Sequence, residues 1–123
     1  MKKLILISIL IFANGCNMSD QNFELPSNYI FVREGGNSNI VLQKNKLIID
    51  KGAVDFSFDN KFIFFSVDCS LSMEPYKVPK EKLIYYIHDI EEDTLSKPLN
   101  YNFVRKFMIK NNVGKQNNIL VKH

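Results

Sequence analysis

Cysteine and histidine are scarce in this sequence, and the scarcity limits its chemistry. Among 123 residues the cysteines are Cys16 and Cys69 and the histidines His88 and His123. No CxxC pair, HExxH motif or EF-hand loop occurs, so neither a metal nor a small-molecule cofactor is expected. The glycine loops that cradle phosphates and the GxSxG hydrolase elbow are missing too. No apolar run approaches the ~18–20 residues of a membrane-spanning helix. Charge of one sign is not in excess. There are 16 basic and 13 acidic residues, and setting aside Lys2 and Lys3 leaves 14 against 13. Nucleic-acid surfaces show clustered Lys and Arg, so no nucleic-acid partner is expected. Alanine occurs only at Ala13 and Ala53, while Asn, Ile, Lys and Phe are abundant. That bias fits an AT-rich genome and carries no mechanism.

What is present begins with the N-terminus, MKKLILISILIFANGC. Lys2 and Lys3 are followed by residues 4–12, apolar except for Ser8, and then by Ala13, Asn14 and Gly15. A positive start, a short apolar stretch and a small-residue exit make a secretory leader. Ala13-Asn14-Gly15 loosely fits the A-x-A rule for release of a soluble protein. The cysteine directly after Gly15 resembles a bacterial lipobox instead. That resemblance implies cleavage after Gly15 and a diacylglyceryl group on the Cys16 thiol, with acylation of the new amine (palmitate among the chains). Stable anchoring needs two membrane signals, and several chains on one residue satisfy that. The expected location is the cell envelope, lipid-anchored to a membrane, the outer membrane if the source is Gram-negative. Asn17 does not point to inner-membrane retention. Lipidation would leave Cys69 without an intramolecular partner, and Cys69 then reads as a small buried hydrophobe. A Cys16–Cys69 disulfide is the competing reading.

Domain organisation follows from composition. Residues 1–15 are the removed leader, 16–25 a lipidated start and flexible spacer, and 26–123 a single small β-rich domain. Hydrophobic residues make up 46% of the chain and charged ones 24%, as in a globular protein. Strands are expected at Tyr29-Ile30-Phe31-Val32-Arg33, Ile40-Val41-Leu42 and Leu47-Ile48-Ile49, with Lys44-Asn45 as a turn. Val54, Phe56 and Phe58 alternate with polar residues, which gives one apolar face. Asp59-Asn60 is a two-residue turn. Residues 62–67 are apolar on both faces, as in a central, covered strand. Residues 70–82, with Pro75 and Pro79, form a long loop, and Leu83 to Asp89 is a further strand. Val104, Phe107, Met108 and Phe103 fit one helical face over 100–112, with Asn100 or Asn102 as N-cap and Gly114 at the C-cap. Ile119-Leu120-Val121 is either an edge strand or loose. The fold class is α+β, mainly β: an antiparallel sheet of about five or six strands with one C-terminal helix.

Chemistry-bearing groups are few. His88 reads as a satisfied or exposed strand histidine. If the strands ending at Cys69 and starting at Leu83 pair as neighbours, His88 lies opposite Ile63. It is then roughly 20 Å from Cys69, too far for a nucleophile–base dyad. Glu91, Glu92 and Asp93 form an acidic run that reads as a solvated turn rather than a glycosidase pair. No enzyme is expected. The remaining surface for contact is the proline-bearing loop, where Met73, Tyr76 and Lys77 are candidate partner contacts; the alternative is that Tyr76 folds back on the sheet.

The mature region resembles a domain-of-unknown-function family of small bacterial lipoproteins. The resemblance rests on the lipobox, Leu25-Pro26-Ser27-Asn28-Tyr29, Asp59-Asn60-Lys61-Phe62-Ile63, Tyr85-Tyr86-Ile87-His88-Asp89, and a Pro98-Leu99 step into a helix carrying Phe103. Lys97 stands where that family has glycine. The resemblance implies export and a small sheet-plus-helix domain, and no catalytic residue. The expected function is a membrane-tethered, non-catalytic binding module of the envelope, possessing a lipid anchor and an envelope protein as partner. The alternative is an envelope inhibitor or immunity protein against a lytic enzyme or toxin.

Overall fold

The computed structural model describes residues 21–121. Gly15, Cys16 and His123 lie outside them. Among the described residues eight strands form two antiparallel sheets of four, and an α-helix covers part of the second. The first sheet is an up-and-down meander of β1 (Gln21–Glu24), β2 (Tyr29–Arg33), β3 (Ile40–Gln43) and β4 (Lys46–Ile49). Its turn at Lys44 and Asn45 has φ of 52° and 68°, the left-handed pair of a tight hairpin between paired Gln43 and Lys46. The second sheet runs β5 (Ala53–Phe58), β6 (Phe62–Val67), β7 (Ile84–Asp89) and β8 (Thr94–Leu95).

The expected single sheet of five or six strands is thus two sheets. The chain changes sheet at Asp50-Lys51-Gly52, where Gly52 has a φ of 84°. Its amide donates to Asn37 O and its carbonyl accepts from Asp68 N. Part of the stretch read as spacer is also a strand. β1 pairs with β2 throughout, Gln21 opposite Arg33 and Glu24 opposite Ile30. The Phe23 ring lies tilted against Phe56 with centroids 5.4 Å apart, and Leu25 is buried. One aromatic in a polar stretch is enough to dock an edge strand whose other side chains stay in water.

Three layers result. Tyr29, Phe31, Val41 and Ile49 of the first sheet pack against Ala53, Ile63, Phe65 and Val67 of the second. The other face of the second sheet, with Phe64, Tyr85 and Ile87, packs against Val104 and Met108 of α1 (Tyr101–Lys110) and against Ile119. β6 is therefore central and covered on both faces, as its apolar run, broken only by Ser66, implies. On β5 the expected single apolar face is interrupted. A bulge between Ala53 and Asp55 turns Val54 to the helix side, while Phe56 meets Phe31 at 4.9 Å. The turn between β5 and β6 is centred on Asn60 and Lys61. Asp59 N donates to Phe62 O, and Asp59 Oδ1 accepts from the amides of Lys61 and Phe62.

Asn100 caps α1, accepting from Phe103 N at 2.8 Å. Gly114 is not the C-cap. Asn112 takes the left-handed position (φ 53°), with Val113 N donating to Met108 O and Asn112 N to Ile109 O. Phe103 is 52% exposed, because the buried stripe is Val104, Phe107 and Met108. Residues 119–121 form a turn, in which Ile119 is buried.

Candidate functional site

Residues 70–82 leave the end of β6 and return to β7. The departure is built around Asp68, which is 2% exposed. Its carboxylate accepts from Ser70 N at 3.0 Å, from the Ser70 hydroxyl and from Ser72 N at 2.9 Å. Burial alone would raise the carboxyl pKa, but these hydrogen bonds favour the ionised form and hold it below the usual carboxylate value. Asn37 Nδ2 donates to Leu71 O at 2.8 Å and lies 3.7 Å from Met73 Sδ, tying the loop to the first sheet. Further along, Pro75 is buried, the Lys77 ammonium meets Glu74 at 3.0 Å, and the Tyr76 hydroxyl donates to Glu74 at 3.1 Å. Lys80 Nζ donates to Leu120 O at 2.9 Å, and the Tyr85 hydroxyl donates to Lys80 O at 2.8 Å.

A loop so heavily tied nonetheless projects apolar side chains. Met73 is 73% exposed and Tyr76 72%. Tyr76 does not fold back on the sheet; its hydroxyl bonds within the loop. Lys77 is also exposed. Met73, Tyr76 and Lys77 therefore share one solvent-facing loop. Beneath it lies a groove of about 510 Å³, within the size range of ligand pockets. Helix α1 covers only part of the outer face of the second sheet, and the groove is the remainder. Val54, Tyr85 and Ile119 line its floor, Pro75 and Tyr76 one wall, and Arg33 its rim. The Arg33 guanidinium lies over the rings of Phe31 and Phe23 at 5.3 and 5.7 Å. Chemically the groove offers apolar contact with charge at its edge.

A second polar cluster escaped the sequence reading. The Tyr29 hydroxyl is 2.8 Å from His88 Nδ1, and His88 Nε2 is 3.1 Å from Asp93 Oδ1. The consistent assignment has Tyr29 O–H donating to Nδ1 and Nε2–H donating to the carboxylate. Tyr29 and His88 are 1% and 2% exposed. Burial, with the Asp93 charge adding to it, pushes the Tyr29 hydroxyl up to about 12. A buried hydroxyl that holds its proton at neutral pH suits bridging β2 to β7 rather than attack on a substrate. Of the acidic run, Glu91 and Glu92 are exposed as expected, but Asp93 turns back (φ 53°) to hold the histidine. The signal in the sequence is the five-residue spacing of His88 and Asp93 across a tight β7–β8 turn. No sequence pattern adds Tyr29, which is 59 residues from His88.

Cys69 is exposed rather than a buried hydrophobe, and it has no disulfide partner among the described residues. Val67 is the last core residue of β6, and at Cys69 the chain is already leaving the sheet. The register places His88 opposite Ile63 and Val67 opposite Ile84, so Cys69 and His88 lie at opposite ends of β6. Among the described residues, no group of three or more His, Cys, Asp or Glu is arranged to hold a metal ion. No described helix is long and apolar enough to cross a membrane. No protein-family model matches the chain, and neither the curated proteins nor the solved structures contain a match to it.

Proposed function

We propose that the protein is a lipid-anchored, non-catalytic interaction module of the bacterial cell envelope. The anchor is Cys16, exposed by cleavage after Gly15, and the contact surface is the loop 70–82 with its groove. The observation that carries the contact surface is Met73 and Tyr76 standing about three-quarters exposed on a loop that is pinned at both ends. Large apolar groups exposed on a loop tied at both ends present a contiguous surface that suits recognition. The polar groups the structure brings together, Tyr29, His88 and Asp93, join two sheets, and the Tyr29 hydroxyl is committed to His88 Nδ1 at 2.8 Å.

Fractionation of the native host tests the anchor, and substitution tests the surface. The unsubstituted protein should remain with membranes after a high-salt wash, and Cys16→Ser should abolish fatty-acid labelling. Tyr76→Ala should weaken the contacts the protein makes without lowering its melting temperature. Retained labelling in Cys16→Ser, or unchanged contacts in Tyr76→Ala, contradicts the respective half of the reading. Stoichiometric capture of a lytic enzyme with loss of its activity would favour an inhibitor role.

A further inference from the structure

The partner of loop 70–82 can be narrowed by where the chain enters the domain. β1 runs from Gln21, opposite Arg33, to Glu24, opposite Ile30, so the chain enters at the Arg33 end of the first sheet. That end is also where the loop is attached. Asn37, four residues beyond Arg33, donates to Leu71 O and touches Met73 Sδ, and Arg33 and Tyr76 line the same groove. Cys16 precedes Gln21 by five residues, a reach of at most about 18 Å even when fully extended. The entry point and the exposed side chains of Leu71, Met73 and Tyr76 therefore occupy one end of the molecule. The turn between β7 and β8, with Glu91 and Glu92 exposed, lies at the other end of β6.

Resting on the lipoprotein reading above, we infer that the Leu71–Met73–Tyr76 end of the domain seats on the lipid surface that holds its anchor. A short tether makes contact with that surface effectively intramolecular, so a small apolar patch suffices to orient the domain. Tyr76 suits the interface, with an apolar ring and a polar hydroxyl. Leu71 has a left-handed backbone (φ 55°), and its amide is held by Asp68 O at 3.2 Å. A bulky residue in that conformation is strained, and Leu71 is 37% exposed at the same end as Met73, with its Cδ2 against Gly52. The acidic turn is carried away from the anionic headgroups.

The test uses the full lipidated chain in vesicles of phosphatidylethanolamine and phosphatidylglycerol. Cys69→Ser removes the exposed thiol, and a bimane label is attached at Met73→Cys or, as a control, at Glu92→Cys. Both positions are exposed, so neither variant disturbs the core. Lipids brominated in their acyl chains should quench the Met73→Cys label several-fold more than the Glu92→Cys label. Equal quenching at both, or stronger quenching at Glu92→Cys, overturns the orientation. A Met73→Cys label shielded from aqueous iodide but not quenched by lipid means that a protein covers the loop, and also overturns it. The intact mass of the same sample separates two failures. Absence of acyl chains on Cys16 removes the anchor reading and this inference together; an acylated Cys16 with an unquenched label removes the inference alone.

Discussion

Single residues carry the sharpest energetic consequences. Removing the Tyr29 hydroxyl leaves the buried His88 Nδ1 without its partner. Tyr29→Phe should cost about 1–3 kcal/mol, read as a lower urea midpoint at unchanged slope. The same hydroxyl makes stability fall in alkali. Its folded pKa, pushed by burial up to about 12, lies above the ordinary value of about 10. Its neutral form is therefore favoured by folding. That contribution is complete below about pH 10 and is lost as the pH rises toward the folded value. Tyr85, raised mainly by burial with Tyr101 and Glu81 adding, acts in the same direction. Urea midpoints followed from pH 8 upward, at about half-unit steps, should decline above about 10; a flat profile contradicts this. Asp68 has the opposite sign. Its depressed pKa stabilises the fold above the unfolded carboxylate value and is lost as pH falls through the folded value. Asp68→Asn should lower stability at neutral pH and reduce the loss on acidification. Gly52→Ala places a Cβ 2.7 Å from the Asp68 carbonyl at a φ of 84°. The left-handed backbone alone costs about 1–2 kcal/mol, so this substitution should be among the most damaging in the domain. Ser57 is buried with no partner for its hydroxyl among the described residues, so Ser57→Ala should be neutral or stabilising.

At the scale of elements, α1 shows how a pattern can be read nearly right. Its existence follows from the spacing of Val104, Phe107 and Met108 and from the Asn100 cap. Its rotation is set by packing, since Phe107 meets Phe62 at 4.9 Å and leaves Phe103 outside. Met108→Ala should cost about 2–5 kcal/mol, whereas Phe103→Ala should stay within about 0.5 kcal/mol of the parent. Thermal melts of the two variants decide the facing. Strands β2 to β7 were legible because their apolar residues outnumber what one exposed face tolerates. β1 was not, because three of its four residues are polar and its pairing depends on β2. The two-residue β8 has no pattern of its own, and the division into two sheets is made by Gly52 and a side-chain bond from Asn39 Nδ2 to Ala53 O at 3.0 Å. Of the candidate site, the exposure of the loop was legible from Pro75, Pro79 and its charges. The groove was not, because it is the part of a sheet face that a helix fails to cover, and only tertiary packing defines that remainder. The Tyr29–His88–Asp93 link was hidden for the same reason.

For the whole molecule, the end at which the chain enters β1, where the proposed anchor would lie, also carries the partly apolar loop 70–82. The sheets and helix serve as the support that fixes the loop relative to the point of chain entry. Exposed Cys69 provides an internal check on that geometry, since it should react with a thiol reagent in the folded protein without denaturant. Protection of Cys69 until unfolding would contradict the position of the chain at the end of β6. The claim on which function depends is covalent and can be weighed directly. The intact mass of the protein extracted from membranes of its native host should correspond to a chain beginning at Cys16 and carrying diacylglyceryl with or without a further acyl chain. A mass showing Cys16 unmodified, or joined to Cys69 by a disulfide, would contradict the account.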